Sequence, residues 1–317
     1  MNDPTILILG GTFLLALLVF VIPASLHAAK ERSETGGSEP VAPDAGLPPL
    51  FPGIPSDSCE TPRVEPAPTP PPLPAGTIPL WPYRRFDMLG MACVFGFFAL
   101  LVLVSAATAS KAGLRIDAGT LLVNIAFQFV LAGVVSAVMF WRIRPAEWLG
   151  LRWRQWPWVF LIAPATVVVM WMVFGGLHAS GYVKWMESLG SETVQETVKL
   201  LQESKDPLVI GLMAATAVFV APVCEEVVFR GYFYPVAKRF AGAWPAALCS
   251  AMVFAAAHGN LTALLPLFLF GLALVFIYEK TGSLWAPVAV HFCFNGATVV
   301  AQLAVRYLDI PVEQLSR

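Results

Sequence analysis

Six polar side chains interrupt otherwise apolar sequence toward the C-terminal end: Glu225, Glu226 and Arg230, then His258, then His291 and Asn295. A carboxylate or guanidinium at the centre of a helix in lipid costs on the order of 2.5 to 3.5 kcal/mol even on lenient insertion scales, so these groups are expected to have a function. Glu226 and Arg230 stand four apart with the acid first, the favourable order for an ion pair on one helix face, and are expected to hold their helix. Glu225 is rotated about 100° away and is left for chemistry. His291 and Asn295 share a helix face, and Phe254, four residues before His258, is expected to pack beneath it.

A carboxylate, two imidazoles and a carboxamide suit attack of water on a carbonyl. Glu225, paired with His258, would take the proton from water. His291 and Asn295 would donate to the oxyanion that forms. The competing use is a metal: Glu225, His258 and His291 could hold zinc and leave a position for water. No HExxH is present and Asn is a poor zinc ligand, so no cofactor is the favoured expectation, with zinc as the alternative. Cys249 and Ser250, nine and eight residues before His258, are poorly spaced to act as nucleophiles with it.

Helix geometry brings these groups to one level. From Arg239 back to Glu225 and from Trp244 forward to His258 is 14 residues each, roughly 21 Å. From Lys280 to His291 and Asn295 is 11 and 15 residues, roughly 17 and 23 Å. Pro222, Pro245 and Pro287 are expected to kink or shorten their helices.

Composition says what surrounds them. Of 317 residues, 57% are hydrophobic and 13% charged, and the mean hydropathy is +0.70; lipid is the solvent for most of the chain. A net charge of −1 without a dense Lys/Arg run excludes a nucleic-acid footprint. Five cysteines (Cys59, Cys93, Cys224, Cys249, Cys293) without CxxC spacing read as packing residues. The expected fold is all-α, a polytopic transmembrane bundle of about eight spans: one near Thr5–Ala24, then 86–108, 119–141, 156–178, 207–236, 243–258, 262–279 and 283–305. Residues 28–83, with Pro66, Pro68, Pro70, Pro71, Pro72 and Pro74, read as a disordered linker. Val194, Val198 and Leu201 behind Ser191 suggest a short interfacial helix. Lys and Arg concentrate after spans one, three, five and seven, which predicts that those loops, the linker included, are cytoplasmic and both termini outside. Trp148, Trp153, Trp156 and Trp158 read as interface anchors.

The segments Glu225-Glu226-Val-Val-Phe-Arg230, Phe254-Ala-Ala-Ala-His258 and His291-Phe-Cys-Phe-Asn295, in this order on successive apolar stretches, resemble the three signature motifs of the CPBP family. That family comprises the type II CAAX prenyl proteases and the bacterial Abi and bacteriocin-processing proteins. The likeness covers about residues 200–305, including Gly231, the Gly259-Asn260-Leu261 that follows His258, and Thr281 to Pro287. It implies an intramembrane endopeptidase, historically described as a metalloprotease, in the bacterial cell membrane. In it Glu225 and His258 would activate water, His291 and Asn295 would bind the oxyanion, and the substrate would be a membrane-associated peptide or protein. The chain then divides into an anchor (1–27), the linker (28–83), helices two to four (84–180), a catalytic core (181–306) and a tail (307–317). A non-proteolytic scaffold or bacteriocin-immunity protein is the second reading. A proton-coupled transporter is third, because the ionisable groups gather at one level instead of lining a path through both leaflets.

Overall fold

The computed structural model describes residues 4–35, 78, 83–109, 117–150, 153–189 and 196–308. The proline-rich segment 36–77, Cys59, Ser191 and Val194 lie outside these residues. The described chain is helical, with no strand among the described residues. Its helices are α1 (Pro4–Thr35), α2 (Arg85–Ala109), α3 (Ala118–Phe140), α4 (Pro145–Trp148), α5 (Val159–Ala179), α6 (Tyr182–Ser188) and α7 (Glu196–Glu203). They continue with α8 (Pro207–Ala241), α9 (Ala243–Ala257), α10 (Leu261–Thr281) and α11 (Trp285–Tyr307).

Seven of them, α1, α2, α3, α5 (with the preceding turn from Trp156), α8, α10 and α11, are long and apolar enough to cross a bilayer. The protein is a multi-pass integral membrane protein. The eighth apolar stretch, α9, has 15 residues, about 22 Å, which is short of the hydrocarbon thickness. It is also the most enclosed: Ala246, Ser250, Ala251, Val253, Phe254, Ala255 and Ala256 are all inaccessible. It lies among α1, α8 and α10. Small residues are what permit such close helix approach without a hydrophobic drive between helices. At Gly271 on α10 an added Cβ would come within 3.1 Å of the Ala251 Cβ, so glycine lets α9 and α10 meet there without either helix giving way. By contrast, α2 and α3 turn large apolar residues such as Leu100, Val104, Val123 and Val130 outward, as lipid-facing helices do.

The turn from α9 to α10 is encoded residue by residue. His258 caps the C-terminus of α9, Gly259 adopts a left-handed φ of 65°, and Asn260 caps α10 by accepting from the Ala263 amide at 2.9 Å. Pro245 and Pro287 do not kink their helices: both fall in a first turn, where no amide is needed for the helix ladder. The predicted short helix exists as α7, with Leu201 buried. Asp117 caps α3 by accepting from Thr120, and those bonds hold its carboxyl below the usual range.

The tryptophans divide. Trp156 and Trp158 are exposed as interface anchors should be, but Trp148 is buried, and its Nε1 donates to the Gly231 carbonyl of α8 at 2.7 Å. Composition identifies an aromatic cluster but not which ring turns inward. Trp148→Phe leaves that carbonyl without its donor and removes part of the ring packed on Gly231; thermal unfolding in detergent should show a loss of at least about 1–3 kcal/mol.

Candidate active site

The element that carries Glu225, Glu226 and Arg230 is not a regular α-helix. Thr216–Val220 and Val227–Phe233 are π turns, and each leads to a proline. Pro222 has no amide to donate, and the Ala221 amide reaches back five residues to Thr216. The Ala217 carbonyl therefore loses its α-helical donor, and its π-register donor would be Pro222. Asn295 Nδ2, from α11, donates to it at 2.8 Å. Pro235 repeats the arrangement: the Tyr234 amide bonds Phe229, and Gly231, whose α-helical donor would have been Pro235, accepts from Trp148 instead. Depth counting at a constant rise per residue overlooks both turns.

Glu226 is the hub of the site. Its Oε1 accepts from Arg230 Nη1 at 2.8 Å and from His291 Nδ1 at 2.9 Å. Arg230 Nη2 donates to the Gly271 carbonyl at 3.2 Å, and the guanidinium lies 4.4 Å from the centroid of the Phe254 ring. Glu226 and Arg230 are fully buried and His291 is 3% exposed. The expectation that Glu226 and Arg230 hold their own helix is thus too narrow. They join α8 to α9, α10 and α11, and Glu226 also orients one of the two histidines.

Glu225, one position earlier, points away from this hub into a cavity of about 730 Å³. Its Oε2 is 4.0 Å from His258 Nε2 and 4.0 Å from His291 Nε2 and has no protein hydrogen-bond partner. His258 Nδ1 meets the Phe254 carbonyl at 2.8 Å. A carbonyl only accepts, so Nδ1 carries the proton and the neutral ring turns a lone pair on Nε2 toward Glu225. His291 Nδ1 likewise donates to Glu226, so its Nε2 can donate only when the ring is an imidazolium. Phe254 packs against both imidazoles, at 4.9 Å from His258 and 5.9 Å from His291 between centroids, and Phe270 covers His291 at 5.3 Å. Asn295 lines the same cavity.

Both histidines carry the tautomer that metal ligation through Nε2 would use. The spacing does not fit zinc: tetrahedral ligands with bonds of roughly 2.1 Å lie about 3.4 Å apart, closer than the separations here. Among the described residues no group of three His, Cys, Asp or Glu is arranged to hold a metal.

The cavity wall adds residues that motif spacing did not single out. Asn124 and Gln128 on α3, Gln202 on α7, and Thr298 and Gln302 on α11 all line it. Each is a polar residue beside or within apolar sequence, the same signal that marked Glu225. Tyr182 donates to the Leu261 carbonyl at 3.0 Å and closes the wall between α6 and α10. Burial pushes its phenol above the ordinary range and keeps it a neutral donor.

Comparisons with known proteins bear on residues of this site. The family model described as "Type II CAAX prenyl endopeptidase Rce1-like" matches residues 207–297, which include Glu225, His258, His291 and Asn295. A Bacillus subtilis (strain 168) protein named "Putative membrane peptidase YdiL" is 27% identical over 113 residues, which is 36% of this chain and 44% of that relative. The match spans less than half of the relative's length. No solved structure matches at a significant level.

The hub yields a stability prediction. Glu226→Gln and Arg230→Met should each destabilise the protein by about 3–5 kcal/mol, because each leaves a buried charge unpaired. The double variant should recover part of that loss in thermal unfolding, which a pair of independent contributions would not do.

Proposed function

We propose that the protein, whose residues 207–297 match the family model described as "Type II CAAX prenyl endopeptidase Rce1-like", is an intramembrane endopeptidase that hydrolyses peptide bonds of membrane-associated substrates with directly activated water. The observation that carries the reading is the position of Glu225 Oε2: buried, without a protein partner, and 4.0 Å from the Nε2 atoms of both His258 and His291. A water about 2.8 Å from each partner spans such a distance.

Glu225 is the general base. It removes a proton from water while the His258 lone pair accepts the other O–H and orients the nucleophile toward the scissile carbonyl. Negative charge builds on the carbonyl oxygen as the tetrahedral intermediate forms. His291, as an imidazolium held against Glu226, donates from Nε2 to that oxygen. Asn295 spends one amide hydrogen on Ala217, and its second remains for the oxyanion. Collapse of the intermediate breaks the C–N bond, and the proton taken by Glu225 passes to the leaving amine. Glu226 and Arg230 are positioning residues: they set the His291 tautomer and ring orientation and do not touch the substrate.

Three variants test this with purified protein in liposomes and a library of membrane-proximal peptides read by mass spectrometry. Glu225→Gln and His258→Ala should abolish cleavage, and Asn295→Ala should slow it about 100-fold, the cost of one oxyanion donor. Full activity in Glu225→Gln overturns the assignment. Activity that survives exhaustive chelation supports direct water activation; activity lost to chelation and restored by zinc replaces it with the metal-dependent form of the same protease. A cellular phenotype that persists in Glu225→Gln would favour the scaffold reading.

A further inference from the structure

At one end of the cavity the wall is a short helix instead of a span. α7 has eight residues and presents Leu201 and Gln202 to the cavity, where Gln302 and Val305 of α11 also lie. Gln302 stands eleven residues beyond His291 on α11, roughly 16 Å along the helix axis. Leu201 is buried in a cluster that is separate from the main core and includes Leu121 of α3, Val209 and Met213 of α8, and Val299 of α11. α7 therefore lies across this end of the cavity, between α3 and α11.

Its attachment to α11 is polar. Gln202 Nε2 donates to Gln302 Oε1 at 2.5 Å. Arg306 Nη1 donates to the Leu201 carbonyl at 2.7 Å, and Nη2 to the Ser204 carbonyl at 2.6 Å. These carbonyls stand at the C-terminal end of α7, where a helix has no amides of its own to offer them and where its dipole favours a cation. α8 does not depend on α7 for its start: Asp206 caps it by accepting from the Leu208 amide at 2.9 Å, and Ser204-Lys205 joins α7 to that cap. α7 can thus leave α11 by rotation about this two-residue connection without unwinding α8. Water replaces each latch bond once α7 moves, and the apolar hold centres on one buried leucine. Elements held in this way belong to the low-stability end of a fold, from which lids are drawn.

We propose that α7 is a movable lid, latched to α11 by Gln202–Gln302 and by Arg306, whose release widens the cavity and admits the substrate polypeptide. The identity of what is admitted rests on the peptidase reading; the movement of α7 does not.

Two measurements on the full chain in liposomes keep those statements apart. The first needs no cleavage. In Arg306→Met, hydrogen exchange of the α7 amides should rise about ten-fold while that of α10 is unchanged. Thr298→Cys, on the cavity wall, should react with a water-soluble maleimide about ten-fold faster when Arg306→Met is also present, read by mass on the peptide that carries it. The second measurement bridges Gln202→Cys to Gln302→Cys with a short bifunctional methanethiosulfonate. The wild type and both single variants, treated alike, account for the five native cysteines. Bridging should slow cleavage of membrane-proximal peptides about ten-fold or more, and reductant should restore it. Unchanged exchange and labelling in Arg306→Met overturn the lid, as does a bridged protein, verified by mass, that cleaves at the unbridged rate. Failure of the peptidase reading is distinct: no chain then cleaves above the Glu225→Gln background, while labelling of Thr298→Cys still responds to Arg306→Met.

Discussion

The architecture turns on one carboxylate. Glu226 is fully buried in a bundle with little water to solvate it, and its charge is tolerable only because Arg230 and His291 share a single oxygen. The energetic consequence extends beyond the pair. Arg230 also donates from Nη2 to the Gly271 carbonyl and rests its face on Phe254, so α10 and α9 are drawn to the same point. The close crossing at Gly271 and Ala251 favours this: an added Cβ at 271 would press on Ala251 and on the Phe254 ring that the guanidinium rests on. With Glu226 fixed, its neighbour Glu225 has nowhere to point but into the cavity.

Proline supplies the second constraint. Within α8, Pro222 and Pro235 each remove a backbone donor, and each time the helix widens by one residue before the proline. The carbonyls that result are bonded from elsewhere, by Asn295 and by Trp148. A defect in one helix thus becomes a specific contact with another. At Ala217 the contact also orients the carboxamide assigned to the oxyanion, which connects the backbone irregularity with the proposed chemistry.

The two histidines illustrate how neighbours differentiate identical side chains. Both present Nε2 to Glu225 at the same distance. His258 is backed by the Phe254 carbonyl, while His291 is backed by the Glu226 carboxylate. Nothing in the spacing of the motifs encodes that asymmetry.

Much of the fold is legible from composition and periodicity, because lipid imposes a single rule: long apolar runs must be helices that satisfy their own backbone. The same rule made Glu225, His258, His291 and Asn295 conspicuous, since a polar group in such a run is costly, and the i, i+4 spacing of Glu226 and Arg230 revealed their pairing. What one dimension could not supply was inter-helix partnership. Glu226 reaches His291 across 65 residues, Trp148 reaches Gly231 across 83, and the π turns arise from how α8 reconciles its prolines with these partners. The sequence by itself determined the helices and the residues too expensive to be idle; the tertiary structure alone decided which oxygen each one shares, because burial makes hydrogen bonding obligatory without specifying the partner.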